Sequence, residues 1–272
     1  MRNLWGKTAV VAVAWLSLLV LGVACSRFLP LPDPLQINLA SALRHPSLSH
    51  LAGTDELGRD VLSRVLNGAH STLLVTGGAT LLNIGLALLL GMTAAYRGGI
   101  ADRLLGLTID LFWSIPFTVF VILIISIIGV HIWTLILTIG GINWVTSARV
   151  IRAETKQLRN EDFMRAAQAF GFSPLQIVFV HLLPNLKRTL LALTAYTAIE
   201  VLTLETGLAF IGLSLPAPEP TWGGLLAEGL AYLSSAWWLV AASAGVITLT
   251  LASLQALARS YEVQQRIVSQ EF

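Results

Sequence analysis

Two carboxylates, Glu200 and Glu205, lie within one long apolar run of the chain. Five positions separate them, which places them about 140° apart around a helix. A charged side chain in hydrocarbon costs about 2.5–3.5 kcal/mol on insertion scales, so each acid is expected to face protein or water. Two roles stay open. Both acids are candidate residues of a translocation pathway. Glu200 fits a group that lines the passage and meets cationic groups, whereas Glu205 also fits a hydrogen-bonded structural acid near one end of a span.

The other reactive side chains form no recognisable catalytic or metal-binding motif. The five histidines are scattered, without an HExxH motif or a close pair at metal-ligand spacing. Cys25 is the single cysteine, which excludes an internal disulfide framework. The tripeptide Gly6-Lys7-Thr8 resembles the end of a phosphate-binding loop, but the first glycine of that loop would fall on Met1. We therefore expect no catalysis, no metal and no cofactor bound by this chain.

The composition is typical of a membrane protein. Hydrophobic residues make up 55% of the 272 residues, charged residues make up 12%, and the mean hydropathy is +0.75. Soluble domains carry about 25% charged residues. A chain inside hydrocarbon must satisfy its own backbone hydrogen bonds, so the long apolar runs indicate helices and an all-α polytopic fold. The net charge of +2 and the lack of a basic block give no reason to expect a nucleic-acid partner.

Six transmembrane helices can be placed by their length and apolar character. The first run follows Arg2 and Lys7 and resembles a secretory signal, but the rest of the chain is also apolar, so we interpret it as a retained span. The motif Gly129-Val130-His131 is expected to form the turn between the third and fourth spans. The expected spans are residues 8–24, 73–95, two within 111–148, 189–215, and one ending near 257.

The distribution of basic residues indicates how the spans are oriented. With the N-terminus inside the cell, 13 of the 17 Lys and Arg residues lie on the inner side and four lie in one outer loop. Inner loops of membrane proteins are enriched in these residues, so both termini are expected to be cytoplasmic. Residues 1–70 then form the first span and an extracytoplasmic loop. Residues 71–272 form the core, with a cytoplasmic loop at about 150–188.

The segment 153–185 is more polar than the spans and is expected to fold as two short helices. Asn160 is the candidate N-cap of the first, and Gly171 is expected to end it in a left-handed conformation. Ser173 and Pro174 are typical of the start of a second helix, and Pro184 is expected to end it. The first helix has an apolar stripe at i, i+3, i+4 and i+7: Phe163, Ala166, Ala167 and Phe170.

Two interpretations of this hairpin remain open from periodicity alone. Amphipathic helices commonly lie on membrane surfaces, so the hairpin can simply connect two spans. Alternatively, the small residues Ala166, Ala167 and Gly171 at one end allow close approach, and this end inserts into a groove on a partner.

The motif Arg165-Ala166-Ala167-Gln168-Ala169-Phe170-Gly171, followed by Ile177 and Leu183-Pro184-Asn185, resembles the cytoplasmic loop of binding-protein-dependent ABC importer permeases. The family pattern is Glu-Ala-Ala, three residues, Gly, then Ile and Leu-Pro, so Arg165 stands where the family has Glu. In that family the loop docks into a cleft on the ATPase subunit. The resemblance implies an ATPase-coupling role for Phe163, Arg165, Ala166, Ala167, Phe170 and Gly171.

Two further segments narrow the resemblance to dipeptide, oligopeptide and nickel permeases. The first, residues 53–64, is similar to the signature before their second span, and we call it the outer signature. The second, residues 205–213 with Pro218 and Trp222-Gly223, is similar to the end of their fifth span, although Ala209 replaces the usual Ser. The residues that carry the outer signature are Gly53, Thr54, Asp55, Gly58, Arg59 and Asp60.

The outer signature has a structural and a functional interpretation. In the first, Asp60 caps a short helix that Gly68 ends, and the charges of Asp55, Arg59 and Arg64 are solvated or form local ion pairs. Exposed pairs of this kind contribute about 0–1 kcal/mol. In the second, the helix belongs to an outer gate or to the surface on which a binding protein docks.

The resemblance implies a type I ABC importer permease with six transmembrane helices in a bacterial inner membrane. Its partners would be a homologous permease, two ATPase subunits that use ATP, an extracytoplasmic solute-binding protein and membrane lipid. This chain would be the second permease of the pair and would import peptides or nickel and metal chelates. The rival hypothesis is a self-contained, ion-coupled secondary transporter or channel that uses Glu200 and Glu205. Inverted internal repeats would favour that rival, and we find none by inspection.

Overall fold

The structure, a computed structural model, describes residues 2–25 and 31–268, with side chains for residues 8–25 and 31–261. Arg27, one of the four basic residues assigned to the outer loop, lies outside the described residues. The α-helices in the described part are α1 (Arg2–Cys25), α2 (Val61–Arg97), α3 (Gly99–Trp113), α4 (Phe117–Ile128), α5 (Ile132–Arg159), α6 (Asp162–Ala169), α7 (Pro174–Phe210), α8 (Trp222–Leu230) and α9 (Trp237–Val268). In this part no strand forms, and a single antiparallel bridge joins Thr54 and Asp60.

The helices confirm an all-α polytopic fold. Five of those described are long and apolar enough to cross a membrane, and the count reaches six if α3 and α4 together form one bent span. The predicted turn at 129–131 is confirmed, because α4 ends at Ile128 and α5 begins at Ile132.

The third predicted span is wrong in its shape. The first of the two spans within 111–148 was expected to run up to the turn at 129–131, but α3 and α4 meet at a break with a bend of 78°. The break falls at Ser114–Pro116, where Pro116 adopts φ −57° and ψ 119°. Proline lacks a backbone N–H and biases the residue before it away from helical geometry, so the helix ends there and restarts.

Two predicted helix ends are also wrong. Gly68 does not end the helix that follows the outer signature, because α2 continues to Arg97. The predicted second span, residues 73–95, is therefore part of the same helix. A Cβ at Gly68 would lie 3.4 Å from the carbonyl oxygen of Pro220, so this glycine allows close packing. The proposed domain boundary at residue 70 therefore lies inside a helix.

Pro184 does not end the second helix of the hairpin. Instead α7 continues through it as far as Phe210. A wide π-helical turn, Ile177–Leu182, directly precedes the proline. A proline inside a regular helix removes one hydrogen bond and clashes with the carbonyl four residues earlier, and a π turn at this point changes that spacing. The hairpin is therefore α6 joined to the first turns of a long membrane helix.

The centre of the bundle is formed by α2, α5 and α7. The helix α2 packs against both of the others, α7 packs against α9, and α9 packs against α1. Polar groups join the central helices, since Ser147 on α5 donates a hydrogen bond of 2.7 Å to Asn83 Oδ1 on α2. Helix association in lipid depends on close packing and on such interhelical hydrogen bonds.

Candidate functional site

Asp55 of the outer signature is the centre of a buried ion-pair cluster. It is 1% exposed. Its Oδ1 accepts hydrogen bonds of 2.9 Å from the backbone N–H groups of Leu57 and Arg59. Its Oδ2 accepts bonds of 2.7 Å from Arg59 Nε and Arg64 Nη1. Four donors therefore converge on one carboxylate.

Two glutamates complete what we call the Asp55 cluster: Asp55, Glu56, Arg59, Arg64 and Glu228. Arg59 Nη2 donates to Glu56 at 3.0 Å, and Arg64 Nη1 donates to Glu228 Oε2 at 3.0 Å. Because Glu228 lies on α8, the cluster ties the start of α2 to a helix 164 residues away in the chain.

Of the two arrangements expected for the charges of the outer signature, the local ion pairs form, whereas the solvated side chains are not found. Asp55, Asp60 and Arg64 are all buried, because the last third of the chain covers them. Trp238 on α9 donates from its indole Nε1 to the carbonyl of Thr54 at 3.1 Å. In a buried ion pair, removal of one charged side chain commonly lowers the free energy of unfolding by about 3–5 kcal/mol, because the remaining charge is left buried and unpaired.

The remaining residues of the outer signature shape its turn. Asp60 is the N-cap of α2, as predicted, and its Oδ1 accepts from Ser63 N at 2.8 Å. Thr54 Oγ1 accepts from the backbone N–H of Arg44 at 2.8 Å. Gly53 and Gly58 have φ values of +77° and +72°. A Cβ at Gly58 would lie 1.9 Å from a backbone carbonyl oxygen, so no other residue fits there.

In the hairpin, α6 and α7 are joined by a turn at Gly171, as predicted. Gly171 has φ +79°, its N–H donates to the carbonyl of Gln168, and the N–H of Phe172 donates to the carbonyl of Ala167. These two bonds define a Schellman motif. Ser173 then caps α7, also as predicted, and it forms with Gln176 a reciprocal capping box that was not predicted. Asn160 ends α5, whereas the N-cap of α6 is Glu161.

The face of α6 that packs against the bundle is not the predicted apolar stripe. Met164, fully buried, and Ala167, 4% exposed, pack inward. Phe163 is 41% exposed, Phe170 is 83% exposed, and Ala166 is also exposed. The stripe is therefore turned away from the bundle, and only Ala167 belongs to both faces.

Exposed apolar residues continue onto the start of α7. Phe179 is 65% exposed and Leu175 is 70% exposed. Arg165, which stands where the family has Glu, is 70% exposed on its side chain and forms a 3.6 Å ion pair with Asp162. The hairpin thus presents an apolar surface, bordered by charge, that nothing in the described part of this chain covers.

The two membrane acids lie in different surroundings, as their angular separation predicts. Glu200 is exposed on α7, and its Oε2 accepts a 2.8 Å hydrogen bond from Asn143 Nδ2 on α5. Glu205 is 2% exposed, and neither of its carboxylate oxygens has a hydrogen-bond partner among the described residues. The side chain of Thr221 interacts with this carboxylate, but outside full hydrogen-bond geometry.

A stripe of polar groups continues from Glu200 along α5. Asn143, Thr146 and Arg149 recur every three residues, so they lie on one side of that helix. Arg149 forms a 3.0 Å ion pair with Asp110 of α3 and lies over the ring of Trp113, with its Cζ 4.5 Å from the ring centroid. We call Glu200, Asn143, Thr146, Arg149 and Asp110 the Glu200 stripe.

Sequence reasoning missed several residues of these sites. Glu228 and Trp238 are distant in sequence from the outer signature, and no local spacing points to them. Asn143 was detectable, because an amide inside an uncharged apolar stretch is itself unusual. Among the described residues, no three His, Cys, Asp or Glu side chains are grouped closely enough to hold a metal ion.

Comparison with known proteins identifies one matching family and several similar permease proteins. The family described as "Binding-protein-dependent transport system inner membrane component" matches residues 87–263, which is more than half of the chain. The oligopeptide transport system permease protein OppC of Haemophilus influenzae is 31% identical over 265 residues, covering 92% of this chain and 84% of its own. OppC of Bacillus subtilis is 29% identical over 245 residues, covering 90% and 80%.

A dipeptide permease shows the same relation. The dipeptide transport system permease protein DppC of Bacillus subtilis is 32% identical over 213 residues, covering 78% of this chain and 67% of its own. The family match at residues 87–263 includes α5, α6 and α7, where the motif at residues 165–171 and both membrane acids lie. The chain therefore belongs to the binding-protein-dependent transport system inner membrane components, the multi-pass inner-membrane permease subunits of ABC importers.

Proposed function

We propose that this chain is one of two paired permease subunits of an importer of small peptides, with both termini in the cytoplasm. A homologous permease completes the pathway, two separate ATPase subunits use ATP, and an extracytoplasmic binding protein delivers the solute. Peptides rather than nickel or metal chelates are supported by the relatives, which are named as oligopeptide and dipeptide permeases. The chain itself acts as a transport subunit and uses no cofactor of its own.

The observation that carries this proposal is the exposed apolar face of the α6 hairpin. Phe163, Ala166 and Phe170 face outward from a helix that Met164 anchors to the bundle. An apolar surface on a loop rich in charge is typical of a docking site. Because α6 connects two membrane helices, α5 and α7, a movement of the docked ATPase subunit would be transmitted directly to the helices that carry Asn143 and Glu200.

The Glu200 stripe is proposed as this chain's side of the pathway. An exposed carboxylate on a membrane helix cannot face lipid without a large cost, so it faces water or the partner permease. The hydrogen bond from Asn143 orients it, and the charges of Arg149 and Asp110 continue the polar surface along the bundle. Glu205 is buried against neighbouring helices and is assigned no contact with the solute.

The docking proposal is tested by Ala166→Arg, which places a charge between the two exposed phenylalanines. We expect the permease to insert normally but to lose its ATPase subunits during affinity purification in detergent. The matched control is Gln168→Arg, on the same helix but about 200° around its axis from Ala166. Retention of the ATPase subunits by Ala166→Arg would contradict docking at this face.

The rival, an ion-coupled transporter or channel, makes a different prediction. In vesicles containing the complete complex, ATPase subunits that bind but do not hydrolyse ATP should abolish uptake by an ABC importer. Uptake that continues with inactive ATPase subunits and follows an imposed ion gradient would favour the rival, with Glu200 as the coupling group.

A further inference from the structure

A cavity of about 250 Å³ opens at the break between α3 and α4. Four of its ten lining residues are aromatic: Phe112, Trp113, Phe117 and Phe120. Sites that enclose a whole small ligand commonly measure about 300–1,000 Å³, so this cavity suits one part of a ligand, such as a single side chain.

The aromatic walls are held in place by neighbouring groups. The rings of Phe112 and Phe120 lie 6.3 Å apart between centroids, and so brace one another across the break. One face of Trp113 is covered by Arg149, which Asp110 holds with its 3.0 Å ion pair. The bend of 78° is what separates these rings enough to leave a space between them. The cavity is therefore built into the helix break.

Two polar residues line the cavity, and one of them connects it to a carboxylate outside the lining. Asn143 and Thr146 of the Glu200 stripe both line it. The same Asn143 side chain donates to the Glu200 carboxylate at 2.8 Å, so the charge lies one hydrogen bond from the apolar walls. An apolar space next to a carboxylate is complementary to a large apolar side chain next to an ammonium group. A lipid acyl chain could fill the walls but would leave the carboxylate unused.

We propose that this cavity is a side-chain subsite of the permease, selective for peptides whose N-terminal residue is aromatic or large and aliphatic. The side chain enters the cavity between α3, α4 and α5, and the adjacent α-ammonium group lies against Glu200. This inference rests on the proposed function as a peptide permease. It adds a selection step within the membrane to any selection made by the binding protein.

The test uses the complete importer in proteoliposomes, with the binding protein saturated by either of two dipeptides, Phe-Ala or Ala-Ala. Ile142 also lines the cavity, and Ile142→Trp fills it. We expect the ratio of the Phe-Ala to the Ala-Ala uptake rate to fall about tenfold, the lower end of what one methylene group changes in an apolar pocket. The matched control is Leu137→Trp, at a 60% exposed position on the same helix, which should leave the ratio unchanged.

A second variant keeps the proposal testable if Ile142→Trp fails to fold. Phe120→Ala enlarges the cavity, and uptake of Trp-Ala should rise relative to Phe-Ala. If neither variant changes its ratio while ATP-driven uptake of Ala-Ala continues, the subsite is refuted and the importer assignment stands. Loss of a co-purified phospholipid from Ile142→Trp, with an unchanged ratio, would identify a lipid site and also refute the subsite. Absence of ATP-driven uptake of every dipeptide by the unmodified complex would refute the proposed function itself.

Discussion

The Asp55 cluster and the α6 hairpin both carry motifs that resemble those of ABC importer permeases, but they use them in opposite ways. In the Asp55 cluster, Asp55 and Arg64 are buried, and the charged side chains bond to one another within the same chain. In the α6 hairpin, Phe163 and Phe170 turn outward, and Met164 alone of the larger apolar residues of α6 is buried. One motif completes its contacts within the chain and the other leaves an apolar face exposed.

This difference separates a scaffold from a docking surface. A buried carboxylate with four donors stabilises one geometry and has little capacity left for a partner. An exposed apolar face has the opposite character, since its burial against another protein is favourable. The comparison therefore favours the structural interpretation of the outer signature over a direct role as a gate or dock. It favours the docking interpretation of the hairpin over a simple connection between spans.

The largest effect should come from Asp55→Ala, which removes the acceptor shared by Arg59 and Arg64. Because Arg64 is buried and keeps only the half-exposed Glu228 as an acceptor, loss of Asp55 should destabilise the chain by about 3–5 kcal/mol. We expect a clear fall in the yield and thermal stability of the purified permease in detergent. The control is Glu56→Gln, which removes a partly exposed pair with Arg59 and should cost only about 0–1 kcal/mol. If Asp55→Ala and Glu56→Gln were equally stable, the Asp55 cluster would not be a structural scaffold, and its contrast with the α6 hairpin would be lost.

A smaller effect on stability, but a specific effect on coupling, is expected for Gly171→Val. The left-handed conformation at φ +79° costs a non-glycine residue about 1–2 kcal/mol. Nothing lies within 4 Å of a Cβ built there, so the cost is backbone strain rather than collision within this chain. The permease should still insert, while ATP hydrolysis should lose its dependence on solute-loaded binding protein, or the ATPase subunits should dissociate.

Gly207→Val is the matched control for this change. Gly207 lies within helix α7 without a positive φ, and it also has open space around a built Cβ. Normal binding-protein-dependent hydrolysis in Gly171→Val, at normal expression, would show that the turn is not a coupling element.

The smallest effect is expected for Glu200→Gln, which keeps the size of the side chain and its ability to accept from Asn143. Uptake of a dipeptide with a free ammonium group should fall relative to its N-acetylated form. The ratio should change by about fivefold at most, since exposed charge pairs contribute about 0–1 kcal/mol. Rates are normalised to assembled complex in reconstituted vesicles. An equal loss for both forms, or no loss, would exclude a pathway role for Glu200.

Local signals in the sequence were sufficient to predict those features of the fold that depend only on neighbouring residues. The turn before Ile132, the N-cap Asp60 and the glycine turn at 171 were all predicted correctly. Caps and turns depend on backbone conformation and on hydrogen bonds within a few residues. The all-α membrane fold followed from composition and from the length of the apolar runs, because hydrocarbon admits few alternatives.

Tertiary structure decided which groups are buried and which are exposed. The apolar stripe of α6 was visible in the sequence, but only the packing of Met164 against the bundle shows that the stripe faces outward. The outer signature was recognisable, yet the burial of Asp55 depends on Glu228 and Trp238, far along the chain. Likewise, a π turn carries α7 past Pro184, whereas Pro116 breaks the helix between α3 and α4. Residue spacing encodes the periodicity of a helix, but the neighbours that cover each face are brought there only when the whole chain has folded.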